Sequence, residues 1–419
     1  MSSLLITNIK TLVGTHPAEV RVLRGKEMAD LPVVNDAWLV IEDGKIKDFG
    51  EMNTIPPEMS NLPAQISAKG KFVLPSWCDS HTHLVFAQSR EEEFVMKIKG
   101  KTYEEIAAEG GGILNSARKL QDASKDDLYE SACKRLDEVI RLGTGAIEIK
   151  SGYGLTLESE LKMLRVIRKL KERSPIPVKA TFLGAHAYPQ EYKNNHSGYL
   201  KLITDQMLPQ IAEEGLADYI DVFCEQGFFS VDETSLILEA GLCYGLKSKI
   251  HANQLSASGA VEVGVKHQAL SVDHLEIMDE SALNVLKNSQ TIATLLPSCS
   301  LFLRIPFADA RSLIHANIPV ALASDFNPGS TPSGNMNLVV SLACIRQKML
   351  PEEAINAATM NGAAAMELSH THGSMTKGKT ANLFITKEIP SLAYLPYAFG
   401  SNLIETVIVN GKIYSGWEN

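Results

Sequence analysis

The chain predicts an α/β fold: a (β/α)8 TIM-like barrel with a small β-domain built from the N- and C-terminal segments. Three observations predict it. Eight apolar runs alternate with longer segments of helical period, the pattern of βαβ units on a parallel sheet. Residues near both chain ends instead form short strands with Asp-Gly and Asn-Gly turn signals. Polar residues gather where the apolar runs end, which is the catalytic face of a barrel.

Taken in order, residues 4–9 (LLITNI) and 37–50 (AWLVIEDGKIKDFG) are β-rich, with Asp43-Gly44 set between alternating apolar stretches as a hairpin turn. Residues 381–386 (ANLFIT) and 404–414 (IETVIVNGKIY) repeat the style through Asn410-Gly411, and 390–400 is a Pro-punctuated loop. The two ends are therefore expected to pair into one composite domain of residues 1–70 and 375–419, leaving residues 71–374 for the barrel. Its eight runs are 72–78, 145–151, 178–184, 219–225, 246–252, 269–275, 291–297 and 319–325. Segments 158–172 and 281–289 have the amphipathic spacing of crossover helices, and Ala-rich 354–366 reads as a packed helix without catalytic content. No GxGxxG follows the first run, which weighs against a nucleotide-binding open sheet.

Composition narrows the function. With 40 basic and 49 acidic residues the net charge is −9, and no long Lys/Arg block offers nucleic acid or anionic lipid a partner. There is no run of about 18 apolar residues and no signal-peptide pattern, so a soluble cytoplasmic protein is expected. The six cysteines lack CxxC spacing and read as reduced thiols.

The polar cluster points to a metal. Asp79-Ser80-His81-Thr82-His83 closes the first run, His186 follows the third, His251 ends the fifth, Asp273-His274 lies in the sixth, and Asp325 ends the eighth. His81 and His83, at i and i+2 of an extended segment, share one face. Alone, such a pair reads equally well as hydrogen-bonded strand-end histidines. The joint pattern converges only at one barrel mouth, and mixed nitrogen and carboxylate ligands suit Zn²⁺ or Fe²⁺ better than Mg²⁺ or Ca²⁺. His16, His196, His267, His315, His370 and His372 fall in loops or helices and read as solvated. Gly110-Gly111-Gly112, ahead of ILNSARKL, reads either as a flexible loop or as an anion-binding helix start.

The stretches FVLPSWCDSHTHLVFAQSREEEF (72–94), TYEEIAAEGGGI (102–113), EIKSGYGL (148–155), TFLGAHAYPQEY (181–192), DVFCEQGFFS (221–230), SVDHLE (271–276), ATLLPS (293–298) and ASDFNPGS (323–330) resemble the amidohydrolase superfamily. Within it they are most similar to the branch that opens an imidazolone ring in histidine degradation. The resemblance implies a β-sandwich made from both chain ends beside the barrel, and a homodimer. It also implies a hydrolase that converts 4-imidazolone-5-propanoate to N-formimidoyl-L-glutamate with metal-activated water. The implied metal is one divalent ion, Zn²⁺ or Fe²⁺, with Fe³⁺ as a further option. His81, His83, His251 and Asp325 are its implied ligands. The 219–225 run lacks the lysine of two-metal relatives, and only Glu225 leaves an opening for a second ion.

Such an ion can lower the pKa of water from 15.7 to about 7. By the same resemblance Asp325 and His274 are catalytic: Asp325 moves the water proton to the departing nitrogen, while His274 hydrogen-bonds the water or the oxyanion or else orients Asp325. The implied substrate has a flat polar ring and a carboxylate tail. Arg90 is expected to grip the tail, the other reading being that it simply pairs with Glu91 to Glu93. Tyr153 and His186 flank ring and tail, and Gln254, Asn327, Gly329 and Ser330 meet the ring or product amide, although loop capping alone explains Asn327, Gly329 and Ser330 equally well. One departure stands out: His251-Ala252-Asn253-Gln254 replaces the family's usual His-Ala-Asp-Glu, so residue 254 cannot ionise. Two other readings remain open, another cyclic-amide hydrolase or deaminase of the superfamily and a barrel without catalysis.

Overall fold

The structure, a computed structural model, describes residues 3–101, 105–106 and 109–417. Of the stretch 102–113, residues 102–104 and 107–108 lie outside the described residues. Strands from both chain ends form one continuous mixed sheet. It contains β1 (Ser3–Val13), β2 (Val33–Glu42), β3 (Lys45–Glu51), β4 (Gln65–Ser67) and β5 (Lys71–Pro75). The parallel sheet holds β6 (Trp77–Asp79), β7 (Thr144–Lys150), β8 (Val178–Ala185), β9 (Tyr219–Cys224), β10 (Lys247–Ala252), β11 (Ser271–His274), β12 (Ile292–Leu295) and β13 (Val320–Leu322) in sequential order. Then β14 (Leu383–Glu388), β15 (Ile404–Val409) and β16 (Lys412–Ile413) return to the terminal sheet, where β14 pairs with β5.

Turn chemistry fixes the two hairpins. Asp43 and Gly44 take φ of 48° and 78° between β2 and β3, and Asn410 and Gly411 take 49° and 74° between β15 and β16, the two left-handed positions of a type I′ turn. Period-2 alternation then covers both faces of the terminal sheet. Ile6, Leu39, Ile41, Val73 and Leu383 pack on one side, and Leu5, Trp38 and Val40 on the other.

The run 72–78, read above as one barrel strand, is divided between the two sheets. Pro75 has no N–H to continue a ladder. Beyond it Ser76 N donates to Asn382 O (3.1 Å) and Trp77 N to Gly143 O (2.9 Å), so the chain passes from the terminal sheet into the barrel within two residues. Lys71–Pro75 is accordingly a strand of the terminal sheet.

The barrel closes just beyond its first and last strands. Asp325 N donates to His81 O (3.0 Å), His83 N donates to Phe326 O (2.9 Å), and the Asp79 carboxylate accepts from Ser324 N and Oγ at 3.0 and 2.6 Å. The seam of the barrel thus carries His81, His83 and Asp325 side by side. Crossover helices run over Leu157–Arg173, capped by Thr156, and over Glu280–Lys287, capped by Asp279.

The Ala-rich segment is helical but widens to a π-turn at Ala357–Asn361, where Asn361 turns inward. Its amide accepts from Leu23 N and donates to Leu23 O and Val320 O, all at 2.8 Å, tying the N-terminal connector to the barrel. His16 and His372 depart from their solvated reading: His16 is buried, with Nε2 3.0 Å from Asn356 Oδ1, and His372 is half-buried, with Nδ1 2.8 Å from Thr371 Oγ1 and Nε2 enclosed. Among the described residues no helix is long and apolar enough to cross a membrane.

Candidate active site

Below the barrel mouth the interior is a layer of charge. Lys150 Nζ lies 2.6 Å from Glu148 Oε1, 2.8 Å from Asp221 Oδ2 and 3.7 Å from Asp273 Oδ2, and Lys249 pairs with Glu148 Oε2 and donates to Ser80 O (2.8 Å). These side chains are fully or almost fully buried, so each charge depends on its partners. Burial opposes the charged forms, but Asp221 and Glu148 outweigh it and hold Lys150 protonated, while His251 and Lys150 hold Asp221 far below the usual carboxylate range.

The two aspartates of this layer aim the histidines above them. Asp273 Oδ2 stands 2.6 Å from His81 Nδ1, and Asp221 Oδ2 faces His251 Nδ1 at 3.0 Å. An imidazole whose Nδ1–H points to a carboxylate presents a lone pair on Nε2. His81 Nε2 lies 3.5 Å from Asp325 Oδ1, His83 Nε2 3.7 Å from the same oxygen, and His251 Nε2 3.3 Å from His83 Nε2. The lone pairs of His81 and His251 are thus turned toward Asp325 and His83, and His81 Nε2 has no hydrogen-bond partner.

Burial, then Lys150 for His81 and His186 for His83, holds these two imidazoles well below their ordinary pKa, in the neutral form a metal requires. The donor set and the convergence of lone pairs fit a borderline divalent cation. Donor atoms of His81, His83 and Asp325 lie within 4.8 Å of one another, as do those of His81, His251 and His274. Glu225 is turned elsewhere: it accepts from Gln226 N, Leu255 N and Ser256 N, capping the loop after β10.

His274, Asp325 and Asn253 carry non-glycine positive φ (88°, 55° and 53°) at the end of β11, in the loop that follows β13 and after β10, strain of the kind concentrated at functional sites. Burial lowers the His274 pKa, but Glu276, whose Oε2 is 3.6 Å from His274 Nδ1, outweighs it together with Asp325, and the net shift is upward. Burial raises Asp325 despite His274 and His251. Ser330 Oγ and Thr331 Oγ1 donate to Asp325 Oδ2 at 3.1 and 3.4 Å and fix its rotamer.

Above these groups opens a cavity of about 370 Å³ whose lining includes every residue given a catalytic, metal or substrate role from sequence except the deeper His81. Arg90 forks onto Glu93 Oε2 through Nε (2.9 Å) and Nη2 (2.6 Å), and Glu93 Oε1 in turn accepts Gly112 N (2.9 Å). The amide at that helix start is therefore occupied by Glu93. The other edge of Arg90 lies against Gly329, where an added Cβ would sit 2.2 Å from Nη1.

His186 Nδ1 donates to Gly152 O (3.0 Å), leaving a lone pair on Nε2; burial first, and His251 next, push it down to about 3. Its ring stacks on His83 with centroids 5.2 Å apart. Asn327 spends its amide on the loop, donating to Asp325 O and accepting from Gly329 N and Ser330 N. Gln254 donates to Cys299 Sγ at 3.5 Å.

Sequence reasoning missed Lys97, a second cation lining the cavity from the helix Glu91–Ile98, and the aromatic wall of Phe223 and Phe228. Nor did it single out Glu148, Lys150, Asp221 and Lys249 beneath the histidines.

A closed (β/α)8 barrel with imidazoles and one aspartate converging at its seam defines a class, and the sequence matches it: residues 72–414 fit the amidohydrolase family, to which this chain belongs. Along nearly its whole length the chain is 59% identical to the imidazolonepropionase of Christiangramia forsetii, over 98% of this chain and all of that one, and 59% identical to that of Flavobacterium johnsoniae, over 98% and 99%. Among solved structures, a triazine hydrolase variant superposes with a TM-score of 0.75 at 15% identity, covering 99% of this chain and 95% of its own, a likeness of fold.

Proposed function

We propose that this amidohydrolase opens the ring of 4-imidazolone-5-propanoate with water, giving N-formimidoyl-L-glutamate, a step of histidine degradation. One observation carries the reading. A single cavity sets converging lone pairs against two cations, Arg90 and Lys97, in a chain that matches imidazolonepropionases from end to end.

His81, His83, His251 and Asp325 would hold one divalent metal, Zn²⁺ or Fe²⁺, which when bound makes water acidic and polarises the ring carbonyl. The water oxygen bonds to that carbon, the ring C–N bond breaks, and the nitrogen leaves with a proton. Asp325 accepts the proton from water and returns it to the departing nitrogen, held at the correct angle by Ser330 and Thr331. His274 donates to the oxygen that gathers negative charge.

Arg90, pre-set by Glu93, takes the carboxylate tail, with Tyr153 and His186 beside it. Gln254 meets the ring as a neutral amide, so proton transfer falls to Asp325 and His274. Asn327 and Gly329 shape the loop that packs against Arg90.

Purified protein, assayed for bound metal and for opening of the imidazolone ring in the same preparation, should show both. Turnover of guanine or a hydantoin with none of imidazolone-propanoate would replace this reading with the deaminase or general cyclic-amide alternative.

A further inference from the structure

Behind the proposed centre, His274, Glu276 and Cys299 form a second group whose donor atoms lie within 4.8 Å of one another, all buried. Glu276 Oε1 is occupied by the Ser300 hydroxyl at 3.0 Å, while Glu276 Oε2 and His274 Nδ1, 3.6 Å apart, have no hydrogen-bond partner. Two unsatisfied polar atoms, each on a side chain at least nine-tenths buried, therefore face each other beside the Cys299 thiol. Cys299 sits in the first turn of the helix Pro297–Leu303, which fixes its place opposite β11.

Donor atoms around a tetrahedral zinc stand roughly 3.3–3.6 Å apart, so rotamer shifts of about an ångström bring the three onto one ion. A thiolate, an imidazole and a carboxylate together select a soft or borderline cation, Zn²⁺ or Cd²⁺, over Mg²⁺ or Ca²⁺. The route in is the cavity itself: His274 and Gln254 line it, and Gln254 touches the sulfur.

We propose that His274, Glu276 and Cys299 form a second, regulatory metal site, filled only at metal excess, and that filling it inhibits the enzyme. The thiol proton is released to solvent as sulfur bonds the ion, since coordination deprotonates a thiol. His274, bonded through its ring, is withdrawn from the reaction. The proposal rests on the reading of the first centre given above, in which His274 serves catalysis.

The test uses full-length protein in a Cys243→Ser, Cys344→Ser background, which removes the thiols that are not buried. Metal-stripped protein is titrated with Cd²⁺ and with Zn²⁺. Bound metal, the ultraviolet thiolate-to-cadmium band and turnover are all recorded. The background protein should take up two equivalents, show the band only with the second, and lose roughly a hundredfold or more of its turnover as the second equivalent binds, the lower end of what a general acid or base contributes.

Adding Cys299→Ser should abolish the band and the second equivalent and leave the first. Glu276→Gln, an isosteric change, should weaken the second equivalent and not the first, and decides the matter if the serine variant does not fold. One equivalent at metal excess with no band, or a band that survives Cys299→Ser, overturns the proposal while the first centre stands. No bound ion at all overturns both.

Discussion

Lys150 Nζ lies 2.8 Å from Asp221 Oδ2, and that same oxygen faces His251 Nδ1 at 3.0 Å. A buried lysine thus holds the carboxylate that aims a proposed metal ligand, and at 3.7 Å it does the same for Asp273, which is bonded to His81. Removing the ammonium would leave two buried carboxylates undercompensated. Lys150→Met is therefore expected to cost about 3–5 kcal/mol of stability. It should also weaken metal retention roughly 10–100-fold, the usual effect of losing a group that orients ligands. Denaturant unfolding and competition against a chelator measure the two effects separately. Unchanged metal affinity would mean that the histidines hold their aim without this layer.

Arg90 should govern substrate capture more than chemistry. Arg90→Lys keeps the charge but loses the fork held by Glu93 Oε2, so KM should rise roughly tenfold or more, about 1.4 kcal/mol, with kcat changed much less. Gly329→Ala is a stricter check because it alters no charge. Its Cβ would stand 2.2 Å from Nη1 and must displace the guanidinium. Steady-state kinetics of both variants should show the same KM-dominated defect; a kcat-dominated one would place Arg90 in the chemical step.

Much of this site was legible in the sequence because strand-end histidines and aspartates have few uses apart from each other. Both hairpins were legible from Asp43-Gly44 and Asn410-Gly411, whose residue types tolerate the left-handed turn. The charged layer was not. In AIEIK, YIDVF and KSKIH the alternation of polar and apolar residues looks like a strand with one face in water. In a closed barrel the outward positions pack under helices, and Glu148, Lys150, Asp221 and Lys249 point into the centre. Lys97 reads as the solvated side of an acidic, amphipathic helix until that helix is seen folded over the mouth. His16 had only its loop position to judge by, and Asn356, its partner, lies 340 residues away.

Asp325 and His274 should separate cleanly by metal content. Asp325→Asn removes both a proposed ligand and the proton carrier, so bound metal and turnover should fall together. His274→Gln is expected to keep the first equivalent of metal and lose roughly 10²–10⁴ in kcat. Metal analysis beside kinetics gives the comparison. Loss of the first metal equivalent in His274→Gln would make this residue a ligand and require the assignment to be redrawn.

The connection between the N-terminal segment and the barrel should be acid-sensitive. Burial, opposed by the Asn356 hydrogen bond and reinforced by Lys379, holds His16 below its ordinary value of 6.5, and burial followed by Lys379 pushes His372 down to about 4. Both imidazoles are therefore neutral in the folded chain at pH values where the unfolded chain has begun to bind protons. Their stabilising contribution is complete above about pH 6.5 and is lost progressively as pH falls through the folded values. His16→Gln cannot titrate, yet its amide can still donate to Asn356 Oδ1. Urea midpoints taken between pH 8 and pH 5 should fall less steeply for this variant than for the parent. Superimposable pH profiles would show that His16 gains its proton without disturbing the fold and that the acid sensitivity arises elsewhere.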